Sequence, residues 1–176
     1  MNPDVSLPDY RDQAPAVAER FRKLKERPVV LEIDRLGRQF EGQHGMVTAL
    51  RDISLKIHRR ELVCVIGPSG CGKSTLIRII AGLDNPTSGR MLVDGKEARG
   101  PSPERGMVFQ GYTLFPWLTV KHNVMFGLEM EGMDTNRAEA EARQWIDLVG
   151  LTRFAESYPR QLSGGMKQRV AIARAL

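Results

Sequence analysis

The 176-residue chain is 41% hydrophobic and 27% charged, with 17 Gly, 10 Pro and 2 Cys. That length and apolar share suit one domain with a real core and exclude collagen-like, disulfide-scaffold and wholly disordered classes. Its 26 Lys and Arg against 21 Asp and Glu leave a net charge of +5, which permits nucleotide, nucleic acid or anionic lipid as a partner without demanding one. The longest uninterrupted apolar stretch, 62–66, falls far short of the roughly 20 residues a bilayer requires, so no spanning segment is expected. Cys64 and Cys71 match no zinc or redox spacing, which fits a reduced cytoplasmic protein. The first 28 residues carry Asp4, Asp9, Asp12 and Glu19 and no apolar core, so neither a secretory signal nor a transit peptide is expected.

Taken in order, residues 1–28 hold Pro3, Pro8, Pro15 and Pro28 among mixed charges and read as a loose arm, with a short helix through Ala16 to Lys25. Ordered structure is expected from Val29, with strands at Val29–Ile33 and Ile53–Ile57. Glu61–Ile66 is short, nearly all apolar and bounded by charge and Gly67, the pattern of a fully buried strand, which makes Cys64 a core residue. A glycine-rich turn follows, then a helix over Lys73–Ala81 ended by Gly82. Strands are expected at Met91–Val93 and at Gly106–Phe109, the latter ending on Gln110. Beyond Pro116 the pattern turns helical. One helix is expected near Val120–Glu131 and a second over Thr135–Val149, capped by Thr135 or Asn136 and closed by Gly150. A third covers Met166–Leu176, with Met166, Val170 and Ala173 on one face. His44, His58 and His122 show no ligand spacing and are assigned no chemistry.

Gly67-Pro68-Ser69-Gly70-Cys71-Gly72-Lys73-Ser74 matches Gly-x4-Gly-Lys-Ser/Thr between an apolar run and a helix, the context that makes a phosphate-binding loop. Polyphosphate is wrapped by backbone N–H groups, so glycines are needed where a Cβ would block the approach or where φ is positive. The helix starting near Lys73 points its positive end at the anion. Lys73 adds a mobile cation for the β and γ phosphates, and the Ser74 hydroxyl is a Mg²⁺ ligand. Cys71, inside the loop, reads as a small side chain pointing off it.

Leu162-Ser163-Gly164-Gly165-Met166, followed by Lys167-Gln168-Arg169, resembles the signature motif of ABC transporter ATPases and starts its serine 90 positions after Lys73. Val108-Phe109-Gln110 resembles the family's Q-loop, with Gln110 placed 37 positions after Lys73. The resemblance covers 29–176. Arg105–Gln110, Leu114–Val120 and Gly164–Gln168 look most like the nitrate, sulfonate and taurine importer branch.

The resemblance implies an α/β P-loop NTPase of the ABC type: a β-rich N-terminal part with the phosphate loop, then a helical signature subdomain over roughly 112–165. It implies ATP and Mg²⁺ as cofactors, with Gly67–Gly72, Lys73, Ser74 and Thr75 on the phosphates and Gln110 as a metal and water ligand. Ser163, Gly164 and Gly165 would close on the γ-phosphate of ATP held by the other subunit of a head-to-tail dimer. Phe40 falls where the family places an aromatic on adenine, a contact worth ~1–3 kcal/mol, and core packing competes with that role. Phe115, Pro116, Trp117 and Leu118 serve equally as a docking patch for a transmembrane partner or as interior packing. The implied partners are a second ATP-binding subunit, transmembrane permease subunits and a solute-binding protein, with no nucleic acid. The implied location is the inner face of the cell membrane.

In the family an apolar strand ending in Asp-Glu and a switch histidine follow; neither occurs within these 176 residues. Two strands of that part lie between the phosphate-loop strand and the strand leading to Gln110. The chain alone is therefore expected to be a poor ATPase, since a lost general base costs ~10²–10⁴ in rate. It is also expected to be marginally stable, with Glu61–Ile66 left unpaired. The alternatives are a nucleotide-binding module without turnover and, less favoured, a non-transport ABC ATPase.

Overall fold

The computed structural model describes residues 13–43 and 45–176; the first 12 residues of the expected arm, and His44, lie outside them. The chain divides into two compact units, up to Ser102 and from Pro103 to Leu176, each with its own hydrophobic cluster.

In the first unit, helix α1 (Pro15–Lys25) starts with proline at its first position, where the missing N–H costs nothing. Strands β1 (Val29–Gly42) and β2 (Gly45–His58) form a long antiparallel hairpin. The expected strands at 29–33 and 53–57 are segments of these two. After helix α2 (Lys73–Ile80), strand β3 (Ser88–Val93) pairs with the free side of β1, and the short β4 (Lys96–Glu97) pairs with β3. The order is β2-β1-β3-β4, with each pair antiparallel.

Along β1, Leu31 and Ile33 are buried on alternate residues, as a one-sided strand requires. The alternation then resets: Leu36 is fully buried too, because the register slips between Ile33 and Leu36. Arg35 (φ 47) and Asp52 (φ 51) take left-handed backbone there, and the Arg35 amide donates to Ser54 Oγ at 3.0 Å. Such a bulge re-aims the side chains beyond it. Leu76 and Ile79 of α2 complete the cluster with Leu31, Ile33, Leu36, Leu50 and Met91.

Two expected strands are not formed. Residues 61–66 belong to no strand, and Leu62 and Ile66 are 89% and 92% exposed. Cys64, expected in the core, is exposed. Residues 106–109 are likewise not a strand, and Val108 is exposed. Both runs have strand composition, but a strand exists only where a neighbour takes up its backbone groups, and none of the described strands is positioned to do so.

The second unit is built on three α-helices, α3 (Val120–Met130), α4 (Thr135–Leu148) and α5 (Gly164–Ala175), with short 3-10 turns at Thr152–Phe154 and Pro159–Gln161. Ala138, Ala142 and Ile146 recur every four residues on α4 and pack with Val120, Val124 and Val170. Asp134 caps α4, accepting from the Asn136 and Arg137 amides at 3.1 and 3.2 Å, so the cap sits before the expected Thr135 or Asn136. Helix α5 opens two residues earlier than expected because the Ser163 hydroxyl accepts the Met166 amide at 3.3 Å. Val170 and Ala173 are buried as the periodicity predicts.

Asn123 is the polar centre of this unit, fully buried on α3. Its side-chain nitrogen donates to the carbonyls of Phe115, Leu118 and Thr119 at 3.1, 3.0 and 2.9 Å. Its oxygen accepts the Phe115 amide at 2.9 Å. One side chain therefore shapes the loop 115–119. Asn123→Ala should cost about 3 kcal/mol, since it strands several buried backbone groups, and a urea melt should register this as a lower midpoint. A midpoint unchanged from the parent would show that the loop does not depend on Asn123.

Candidate nucleotide-binding site

The phosphate loop runs from Gly67 to Gly72 into α2. Gly72 caps the helix at φ 94 with no side-chain cap, so the amides of Lys73, Ser74 and Thr75 have no partner within the helix. These are first-turn donors at the positive end of the helix dipole, the arrangement suited to an anion. The loop is closed around its own cation: Lys73 Nζ donates to the carbonyls of Gly67 and Pro68 at 2.7 and 2.6 Å. The Cys71 thiol does not point off the loop as expected. Its Sγ lies 3.5 Å from Lys73 Nζ, and a Cβ on Gly67 would come within 2.7 Å of it. Ser69 and Gly70 form the exposed tip, with Gly70 at φ 80. The Ser74 hydroxyl is exposed and has no protein partner among the described residues. A hydroxyl oxygen is a hard donor and fits Mg²⁺.

The loop packs on the hairpin through Gly72, where a Cβ would fall 2.5 Å from the Ala49 carbonyl and 2.8 Å from Leu50 Cδ2. Phe40 sits on the same hairpin, opposite Val47. It is 38% exposed rather than part of the core cluster, and the Arg38 guanidinium lies 4.4 Å from its ring centroid. Arg38 is itself paired with Asp84 at 2.9 Å. The ring thus lies on the open surface of the hairpin with a cation against one face.

In the second unit Gln110 is exposed in a turn, not at a strand end as expected; the Tyr112 amide donates to the Phe109 carbonyl at 3.1 Å. Tyr112 and Thr113 both take left-handed backbone, at φ 60 and 47. Helix α5 holds them there: Arg174 donates to the Thr113 carbonyl at 2.8 Å and its hydroxyl at 2.9 Å. Burial pushes the Arg174 guanidinium below its ordinary pKa, and these hydrogen bonds satisfy the desolvated charge. At the other end of α5 a Cβ on Gly164 would come 3.3 Å from the Tyr112 hydroxyl. The helix that opens with Ser163, Gly164 and Gly165 is therefore tied to the segment just after Gln110.

Next to it, Phe115 packs on Phe126 and Trp117 with ring centroids 4.6 and 5.5 Å away. Phe115 is half-buried while Pro116 and Trp117 are exposed, Trp117 by 69%. The 115–118 segment thus divides between interior packing and open surface. Asn123 and Arg174 are not marked in the sequence, because a lone Asn or Arg in a helix carries no periodic signal. His58 and His122 hold structural bonds, to Glu61 at 3.2 Å and to Thr119 at 2.8 Å.

A family model described as ABC transporter matches residues 50–176, and the chain belongs to that family. It is 56% identical over 146 residues to the nitrate import ATP-binding protein NrtD of Synechocystis sp., an alignment covering 83% of this chain and 55% of that protein. It is 51% identical over 158 residues to an uncharacterized ABC transporter ATP-binding protein of Methanocaldococcus jannaschii, covering 90% and 59%. It is 43% identical over 148 residues to the aliphatic sulfonates import ATP-binding protein SsuB of Bacillus cereus, covering 84% and 58%. The chain thus spans a little over half the length of these curated relatives. Among solved structures it resembles a dimeric bacterial ABC transporter cassette, and the same cassette in a post-hydrolysis state with ADP and Pi. For each the TM-score is 0.75 at 34% identity, covering 83% of this chain and 68% of that one. The ABC ATPase fold expected from the motifs is the fold of this chain.

Gly70 and Gly72 separate conformation from crowding. Gly70→Ala meets open space and should cost only about 1 kcal/mol for its positive φ. Gly72→Ala meets the Ala49 carbonyl as well and should cost about 2–3 kcal/mol. Thermal melts of the two variants should rank in that order, and equal melts would contradict the packing of the loop on β2.

Proposed function

We propose that this chain supplies ATP-binding elements of an ABC importer subunit. The observation that carries the reading is the phosphate loop: first-turn amides of α2 without helical partners, and Lys73 gathered into the loop. Gly67, Pro68, Ser69, Gly70, Cys71 and Gly72 supply the backbone cradle, with Lys73 and Thr75 on the phosphates. Ser74 and Gln110 are the Mg²⁺ ligands, and the metal's part is to neutralise charge on the β and γ phosphates. Phe40 offers its ring to adenine. Ser163, Gly164 and Gly165 form an anion site at the N-terminus of α5 that serves the nucleotide of a second subunit in a head-to-tail dimer.

The exposed edge of the aromatic cluster, Trp117 with Pro116, faces a transmembrane permease subunit, and a solute-binding protein supplies the cargo. Similarity to a nitrate importer subunit and to a sulfonate importer subunit supports a small oxoanion as that cargo. No helix among the described residues is long and apolar enough to cross a membrane; the subunit works from the cytoplasmic face, held by its partners. Hydrolysis belongs to the whole subunit. Residues 1–176 contain no apolar strand ending in an acidic pair, so on their own they bind nucleotide with little turnover.

Titration with a fluorescent ATP analogue and Mg²⁺ tests this. The parent should saturate, and Lys73→Ala should lose binding while keeping its melt. Phe40→Ala should weaken ATP and ADP alike by about 5- to 100-fold and spare inorganic triphosphate. Unchanged affinity in Lys73→Ala would refute the phosphate-loop assignment; an equal loss for triphosphate in Phe40→Ala would refute stacking.

A further inference from the structure

Helix α1 lies outside the machinery described above. None of its residues is buried, although Val17, Phe21 and Leu24 recur at helical spacing on one side. Val17 and Phe21 are 40% and 49% exposed. With Arg20, Lys23, Arg27 and Arg60 they line a shallow groove of about 440 Å³ that contains no acidic residue. The neighbouring acids already hold partners, and one of these is Lys23 of the groove itself. Glu19 and Glu26 both pair with Arg22, and Glu19 also lies 3.5 Å from Lys23. Glu61 pairs with Lys25 at 3.2 Å and accepts the His58 amide at 2.7 Å; that amide first, then Lys25, holds its carboxyl below the ordinary range. Among the described residues Arg20 and Arg60 make no ion pair. Arg60 is fixed beside the helix by a left-handed turn at φ 61, and Arg27 Nη1 reaches the Arg59 carbonyl at 3.4 Å.

We propose that this face of α1, with Arg60, is a peripheral docking surface for an anionic lipid membrane. Val17, Phe21 and Leu24 enter the headgroup boundary, and the guanidinium groups of Arg20, Arg27 and Arg60 pair with lipid phosphates and carboxylates. An apolar stripe ringed by cations has the chemistry of an interfacial helix. An acidic protein surface would complement the cations but leave the stripe uncovered, whereas a lipid leaflet takes up both. Each cation near an anionic leaflet strengthens binding by about 5-fold.

The test is co-sedimentation of the full 176-residue chain with phosphatidylcholine vesicles, with and without phosphatidylserine. Binding should require phosphatidylserine and fall as salt rises. The Arg20→Ala/Arg27→Ala/Arg60→Ala variant should weaken it on the order of 100-fold, and Phe21→Ser on the order of 10-fold, with melts unchanged because these groups are not core. The exposed 62–66 run is the obvious competitor. Leu62→Ser/Ile66→Ser should leave the phosphatidylserine-dependent part of binding in place. Loss of that part in this variant, with retention in the triple Arg variant, would overturn the proposal. So would binding indifferent to phosphatidylserine. Binding seen only after deletion of residues 2–12 would place the chain's own N-terminus on this face and overturn it as well.

Discussion

Backbone pairing along β1 is the constraint on which the first unit depends. β1 is hydrogen-bonded on both sides, to β2 and to β3, and so can bury its apolar face under α2. The phosphate loop inherits its position from that sheet at one point, where Gly72 fits against the Ala49 carbonyl. Its other anchor is residues 61–66, which have no partner among the described strands. The loop is therefore supported firmly at the end where α2 begins and weakly at the end where the chain enters it.

The second unit is organised by different means. Its apolar packing is ordinary helical periodicity, but two polar side chains fix its loops. Asn123 satisfies the backbone of 115–119 from within. Arg174 reaches from the last turn of α5 to the strained Tyr112–Thr113 pair. Because α5 also carries Ser163 at its start, the signature motif and the segment after Gln110 are mechanically linked through one helix.

Much of this was legible from the residues. Periodicity located α2, α3 and α4 to within a residue or two, because alanine and aliphatic spacing on one face decides a helix locally. The phosphate loop was legible because its geometry demands glycine, lysine and serine at fixed offsets. The Val29–Ile33 and Ile53–Ile57 strands were found but cut short: their polar continuations, such as Arg38–Gly42, are strand only by pairing in the hairpin. The opposite error occurred at 61–66 and 106–109, where strand composition met no partner. Cys64 was misplaced for that reason, since burial is a property of neighbours rather than of the residue. The Asp134 cap was missed by one position, as two other good capping residues follow it directly.

Amide hydrogen exchange of the 176-residue chain, resolved by peptide, tests the dependence of order on pairing most directly. Amides of 62–66 and 106–109 should exchange close to the unprotected rate, while β1 from Leu31 to Leu36 and α4 from Ala138 to Ile146 stay protected. Protection of 62–66 comparable to that of β1 would contradict the account, because it would require a strand partner that none of the described residues provides.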